Sequence, residues 1–295
     1  MLCLSCLLLA LNARGASGKT DPLAGAISHD ATFGSNKIHY LTAGTGATPI
    51  AFIHGWSCNA TFWREQVPAF SDKAKLILID LPGHGLSDKP ETNYTMDFFA
   101  DAVLAVLKDA RVEKTVLVGH SMGAPVICRA YAKAPQKVSA LVPVDGLLRR
   151  PKVTPEQAEK IVASWRAPDY REQVSKFFGS MFQSPGSESV RDWVVAEALK
   201  TPQHVMSSSM DGMFNAQAPD WNPGHLDVPV LAINTKSPMW TPDYQKFIAD
   251  LSPKSDYRTI EGAGHFLMLE KPEEFNAALL SGLKKFELLS AKDSK

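Results

Sequence analysis

The sequence has few cysteines, no excess of charge of either sign and no apolar run long enough to cross a membrane. Its 31 basic and 31 acidic residues are interspersed and give a formal net charge of zero. The basic stripes that mark nucleic-acid or anionic-membrane binding are therefore missing. The apolar stretch from Leu2 to Leu11 is shorter than the roughly 20 residues of a transmembrane helix. We expect no nucleic-acid partner and no membrane span, and the sequence predicts no particular oligomeric state.

The start of the chain has the layout of a secretory leader. The apolar stretch is followed by small residues, and cleavage near Ala13 or Ala16 would fit this pattern. No Lys or Arg precedes the apolar stretch, which departs from the usual basic start of a signal peptide. We predict a signal peptide over residues 1–18 and hence export to the periplasm or the medium; without such a peptide the protein would be cytoplasmic.

Cysteine offers little chemistry to this chain. Of its four cysteines, Cys3 and Cys6 lie inside the predicted leader, which leaves Cys58 and Cys128. Their spacing does not match that of metal ligands. We expect these two thiols to be small buried residues rather than a disulfide.

Short apolar runs alternate with amphipathic helical patterns over residues 25–146 and 224–290. The runs, from "KIHYLTAG" to "DYRTIEG", are continuous rather than alternating, which predicts strands covered on both faces. Strands that alternate with helices predict an α/β fold with a mostly parallel sheet. Seven strands are clear from the sequence, and an earlier one near "HDATFGSNKIHYL" is weaker.

This alternation stops over residues 147–223. Four helical patterns follow one another there without a strand between them, and Pro and Gly separate them. We interpret the segment as a helical cap inserted into the sheet domain. It is rich in Met, Phe and Trp, and most of these side chains must pack the insertion itself.

Residues 119–123, "GHSMG", follow the strand-like "TVLV" and precede the helical "APVICRAYA". G-x-S-x-G in this context is typical of a nucleophile elbow, a strained strand-to-helix turn that exposes the serine oxygen above the sheet. The alternative is that Ser121 merely caps the following helix. The surrounding pattern favours the nucleophile.

The chain here resembles the α/β-hydrolase superfamily, in its esterase, lipase and perhydrolase-like branch with a helical cap. The resemblance runs from about Lys37 to Leu289. Its landmarks occur in the family's order: "HGW" at 54–56, "DLPGHGLSD" at 80–88, "GHSMG" at 119–123 and "GAGHFLMLEKPEEF" at 262–275. The family implies an eight-stranded core.

The resemblance also implies roles for individual residues. His265 would be the base that takes the proton of Ser121. The backbone N–H groups of Trp56 and Met122 would form the oxyanion hole. His54 and His120 belong to motif segments that the family uses for loop packing and for shaping the site, and we assign both to the substrate pocket.

The third member of the triad departs from the common family pattern. Most relatives place an Asp after the strand "VPVLAIN", where this chain has Ser237. A second arrangement puts the acid after the preceding strand, where "SALVPVDG" supplies Asp145. We favour Asp145 over Asp243, the next acidic residue after Ser237.

These residues predict a serine hydrolase that cleaves carboxylic esters through an acyl-enzyme, with no metal or organic cofactor. Serine at the elbow disfavours the dehalogenase and epoxide hydrolase branches, whose nucleophile is a carboxylate. The apolar cap predicts a small-molecule hydrophobic acyl substrate. Hydrolysis of carbon–carbon bonds, lactones or amides, and peroxyacid formation, use the same machinery. The alternative from another class is a non-catalytic ligand-binding protein of the same fold.

Overall fold

The computed structural model describes residues 21–215 and 220–289, so the predicted signal peptide lies outside the described residues. Within them the chain forms an eight-stranded sheet of order β1-β2-β4-β3-β5-β6-β7-β8. β1 and β4 each pair antiparallel with β2, and the other neighbouring strands are parallel. The strands are Ile27–Phe33 (β1), Asn36–Ala43 (β2), Thr48–Ile53 (β3), Ala74–Ile79 (β4), Thr115–His120 (β5), Val138–Val144 (β6), Val230–Thr235 (β7) and Ser255–Ile260 (β8).

Continuous burial explains the apolar runs of the central strands. Every residue of β5 and of β7 is buried, since helices cover both faces of a parallel sheet. The predicted α/β fold with a mostly parallel sheet is therefore confirmed. The weak first strand is present as β1, and Gly34, with φ 60°, makes the tight turn into β2.

The helices begin where the sequence supplies caps. The Thr154 side chain accepts a hydrogen bond from the Gln157 N–H, and the Gln157 side chain accepts one from the Thr154 N–H, which satisfies N–H groups that a helix start leaves free. Pro272 opens the last helix, as its sequence indicates. The α-helices are Val67–Phe70 (α1), Met96–Asp109 (α2), Gly123–Lys133 (α3), Pro155–Arg166 (α4), Tyr170–Gly179 (α5), Glu188–Ala198 (α6), Gln203–Phe214 (α7), Pro242–Leu251 (α8), Leu267–Glu270 (α9) and Pro272–Lys285 (α10).

Helices α4 to α7 form the insertion between β6 and β7. Aromatic rings join it to the edge of the sheet where the parallel strands end. The Trp56 ring lies 4.7 Å from the ring of Trp165 and 5.6 Å from that of Phe178, between centroids. Since Trp56 follows β3, the insertion lies over the same edge of the sheet as the elbow after β5.

The two cysteines behave as the sequence predicts, since Cys58 and Cys128 are buried free thiols. Burial raises the pKa of both thiols. Among the described residues, no helix combines the length and the apolar character that crossing a membrane requires.

Candidate active site

Ser121 lies in a strained turn between β5 and α3. Its φ of 52° is in the left-handed region, which costs a non-glycine residue about 1–3 kcal/mol. Neighbouring structure maintains this conformation: the Ser121 N–H donates to the Val144 carbonyl at 3.0 Å, and the Ala124 N–H donates to the Ser121 carbonyl at 2.9 Å. The turn therefore has the geometry of a nucleophile elbow.

The two glycines of the elbow are required by close backbone contacts. A Cβ atom at Gly119 would collide with the carbonyl of Gly123, and one at Gly123 would lie 2.5 Å from the Ile53 carbonyl oxygen. The spacing of the pentapeptide thus follows from the way α3 packs on the ends of β3 and β5.

His265 and Asp145 meet although they lie in loops after different strands, β8 and β6. The His265 Nδ1 is 2.6 Å from Asp145 Oδ2. Of the two acids considered in the sequence, Asp145 is the one beside the histidine, whereas Asp243 is exposed in the first turn of α8. With Nδ1–H donated to the carboxylate, the His265 Nε2 carries the lone pair that a general base needs.

The other carboxylate oxygen of Asp145 is also fully engaged. Its Oδ1 accepts the Thr235 N–H at 2.9 Å, the Thr235 hydroxyl at 2.8 Å and the Trp240 Nε1–H at 3.0 Å. Burial raises the pKa of Asp145, but the hydrogen bonds from His265 and Thr235 outweigh it and hold the pKa below its ordinary value. The group is therefore a carboxylate at neutral pH.

The histidine loop is joined to the insertion by hydrogen bonds. The His265 N–H donates to the Met181 carbonyl at 2.8 Å, and the Ser184 hydroxyl donates to the Gly262 carbonyl at 2.9 Å. Glu270 Oε2 accepts the N–H groups of Gln183 and Ser184 at 3.0 and 2.9 Å. We call residues 181–184 with residues 262–270 the cap junction.

Ser121, His265 and Asp145 all line one cavity of about 410 Å³, together with Trp56, Met122 and His120. Ser121 and His265 are each partly exposed. In the part of the chain that the structure describes, no hydrogen bond joins the Ser121 hydroxyl to His265. Such contacts in free enzymes often tighten only when substrate binds.

His120 lines the cavity and contacts His265. Its Nε2–H donates to the His265 carbonyl at 2.9 Å, and the two ring centroids are 4.6 Å apart. Burial, and then the proximity of His265, lower the pKa of His120 to about 3. It therefore remains neutral at working pH.

His54 does not line the cavity, so its predicted place in the substrate pocket is wrong. Its ring is fully buried behind the loop after β3, where Nδ1–H donates to the Gly55 carbonyl at 2.7 Å and Nε2 accepts the Leu81 N–H at 3.0 Å. The imidazole is turned away because both its nitrogens hold the backbone of two loops together.

Trp56 and Met122 have side chains that are accounted for by packing. The Trp56 indole donates to the Met206 carbonyl of α7 at 3.0 Å, and Met122 is buried at the start of α3. The oxyanion role that the sequence assigns to their backbone N–H groups stays a prediction.

Sequence reasoning missed Thr235, Trp240 and the cap junction. Only one sequence signal pointed towards them, namely the absence of an acid from its usual place after β7. The described residues contain no group of three or more His, Cys, Asp or Glu side chains placed to hold a metal ion.

Comparison with known proteins identifies the family of the chain. The family model for the alpha/beta hydrolase fold matches residues 48–272. The chain therefore belongs to the alpha/beta hydrolase fold family.

The sequence identity to individual relatives is low. Over 127 residues, or 43% of this chain and 34% of that protein's length, the sequence is 33% identical to the dihydrolipoyllysine-residue acetyltransferase component of the acetoin cleaving system of Pseudomonas putida. It is 28% identical to the pimeloyl-[acyl-carrier protein] methyl ester esterase of Edwardsiella ictaluri over 82% of this chain and 95% of that one. A thermophilic esterase from Thermogutta terrifontis shares the fold, with a TM-score of 0.77, 22% identity and coverage of 88% and 98%.

Proposed function

We propose that this protein is a serine hydrolase that cleaves carboxylic esters through an acyl-enzyme. The observation that carries the proposal is that a serine in a strained elbow shares one cavity with a histidine held at 2.6 Å by a buried aspartate. The similarity to a methyl ester esterase over most of both chains supports the same reaction class.

In the proposed mechanism, Ser121 Oγ attacks the ester carbonyl while His265 Nε2 takes its proton. The backbone N–H groups of Trp56 and Met122 bind the oxyanion of the tetrahedral intermediate. The protonated His265 then gives its proton to the departing alcohol. Water, activated by the same nitrogen, releases the acid and restores Ser121. Asp145 stabilises the imidazolium throughout without accepting its proton.

The cavity favours a neutral, hydrophobic substrate of small to medium size. No lysine or arginine is among the described residues of its wall, and the one carboxylate, Asp145, is occupied by its four hydrogen bonds. The carboxylate of an acidic substrate would therefore lose its water on binding without gaining a cationic partner, which is unfavourable. We propose that residues 147–223 act as a cap that supplies much of this wall. Its apolar members are Leu147, Pro151, Phe177, Phe178, Met181, Met210, Met213, Phe214 and Trp221.

Five methionines favour hydrolysis over peroxyacid formation. Met122, Met181, Met210, Met213 and Met239 all line the cavity. Thioethers oxidise readily to polar sulfoxides, so a peroxyacid released here would damage the surface that binds the substrate. Lactones, amides and carbon–carbon substrates remain chemically compatible with the same residues.

A fluorophosphonate probe tests the proposal directly. We expect it to label Ser121 in the wild-type protein and not in Ser121→Ala, and we expect p-nitrophenyl esters of neutral acids to be hydrolysed only by the wild type. A matched pair of esters, one of an alkanoic acid and one of the corresponding dicarboxylic acid, measures the preference for a neutral acyl group. A folded wild-type protein that reacts with neither probe nor esters would instead support the non-catalytic ligand-binding alternative.

A further inference from the structure

In the common family pattern the acid follows β7; in this chain the last residue of β7 and the segment after it instead contribute three hydrogen-bond donors to Asp145. We infer that Thr235 and Trp240 are positioning residues that fix the Asp145 carboxylate against His265. This inference rests on the proposed hydrolase function, which it deepens by adding two residues to the same site.

Strand pairing explains how the donors reach the acid. Val144 pairs with Ile233 in the parallel ladder of β6 and β7, and the Asp145 N–H donates to the Ile233 carbonyl at 3.0 Å. Thr235 ends β7 two residues further on, so its N–H and hydroxyl lie beside the Asp145 side chain. Asp145 itself has φ 42°, a left-handed conformation that turns the chain sharply at this point.

The three donors are distributed unevenly over the carboxylate. All of them bond to Oδ1, and Oδ2 is left for His265. This arrangement prevents rotation of the carboxylate, because turning it would break bonds on both oxygens. It also spreads the negative charge over donors, which lowers the basicity of Asp145 and keeps the proton on the imidazole.

Trp240 connects this arrangement to the substrate cavity. Its indole is buried, lines the cavity and lies 5.2 Å from the ring of Tyr244, between centroids. The Tyr244 hydroxyl donates to the Gly146 carbonyl and accepts the Leu148 N–H, both at 3.1 Å. Trp240, just before α8, therefore holds the acid, and Tyr244, in the first turn of α8, holds the backbone that follows the acid. A substrate resting on Trp240 would contact the ring that positions the acid.

Two substitutions remove one donor each and keep most of the shape. In Trp240→Phe and in Thr235→Val we expect kcat to fall about tenfold, since each loses one hydrogen bond to a charged group. Thr235→Ser restores the hydroxyl and should be close to the wild type. With fewer donors on Oδ1, the carboxylate attracts the imidazolium more strongly, so the acid limb of kcat/KM should move to higher pH.

The NMR resonance of the His265 Nδ1–H proton separates this inference from the proposed function, because it reports the hydrogen bond to Asp145 and needs no turnover. A changed chemical shift of this proton in Trp240→Phe and Thr235→Val, reversed in Thr235→Ser, supports positioning even if no ester is cleaved. Folded variants with the wild-type chemical shift overturn the inference, whatever their kcat, since they would show that the bond between His265 and Asp145 does not depend on these donors. Failure of the wild type to react with the fluorophosphonate would overturn only the hydrolase proposal.

Discussion

Two sets of Ser, His and Asp side chains in the described part of the molecule differ in what surrounds the serine. The first is Ser121, His265 and Asp145. In the second set, Ser28 donates its hydroxyl to His39 Nε2 at 2.9 Å, and His39 Nδ1–H donates to Asp80 Oδ2 at 2.8 Å. Its hydrogen bonds are complete, whereas the described contacts of Ser121 include none to His265. By residue type and hydrogen bonding alone, the second set is the better triad.

The surroundings reverse that ranking. Ser28 lies in β1, an edge strand, and is not part of the wall of either large cavity, although His39 and Asp80 line one of about 480 Å³. Asp80 also accepts the N–H groups of Ala60 at 2.6 Å and Leu86 at 2.9 Å, so it organises loops. We therefore expect reactivity at Ser121 rather than at Ser28, because Ser121 lies in a strained turn and lines a cavity.

The largest contrast should come from the two aspartates. Asp145→Asn should lower kcat by about three to four orders of magnitude and leave the fold intact, because an amide cannot stabilise the imidazolium. Asp80→Asn should retain most of the kcat of the wild type. Steady-state kinetics on one neutral ester, with circular dichroism of each variant, measures both effects. Equal losses of kcat in the two variants would contradict the distinction between the two sets of side chains.

Asp80→Asn should instead act on stability. Burial raises the pKa of Asp80, but hydrogen bonds from His39, Leu86 and Ala60 outweigh it and hold the pKa below its ordinary value of 3.8. A depressed folded pKa gives stability that is present above the unfolded pKa and is lost as pH falls through the folded one. We expect the variant to lose about 2–3 kcal/mol at pH 7 and to show a weaker acid dependence below about pH 4. Urea unfolding at several pH values measures both, and an unchanged acid dependence would count against this account.

Two other buried histidines should give a smaller, separate dependence of stability on pH. Burial lowers the pKa of His54 to about 4. Burial, and then the proximity of His54, lower the pKa of His84 to about 3. Unfolding exposes these rings to proton uptake, so stability should decrease as pH falls from about 6.5 towards 4. His84→Gln should reduce the slope by about 1.4 kcal/mol per pH unit, the effect of one proton. The slope of unfolding free energy against pH between 6 and 5 tests this, and a slope equal to that of the wild type would refute it.

The smallest effect is expected at Ser28. Ser28→Ala should leave kcat unchanged and cost at most about 1 kcal/mol of stability, because it removes one part-buried hydrogen bond. Intact-mass analysis after fluorophosphonate treatment should find one adduct per chain in both the wild type and this variant. A second adduct in the wild type, absent from Ser28→Ala, would make Ser28 a nucleophile and remove the contrast.

Local patterns in the sequence were sufficient to predict the sheet and the elbow. Continuous apolar runs encode β5 and β7 because burial on both faces leaves no place for polar alternation. The "GHSMG" turn was also predictable, because the strand, the turn and the helix that identify it are consecutive in the sequence.

Contacts between distant segments could not be predicted from the sequence in this way. The bonds from Thr235 and Trp240 to Asp145 span 90 and 95 residues and depend on the register of β6 against β7. The Ser28–His39 bond likewise depends on the register of the first hairpin. His54 was misplaced for a related reason, since a motif fixes where a residue lies in the chain but not which way its ring turns.

The cap junction has a consequence for changing what this protein accepts. Transplanting the four inserted helices from another member of the family would also replace Met181, whose carbonyl receives the His265 N–H. The carbonyl at this position would then belong to a backbone that is not matched to the loop carrying His265. A chimera should keep residues 181–184 from the same parent as residues 262–270, so that the recognition surface can be exchanged while the proton-transfer apparatus stays native.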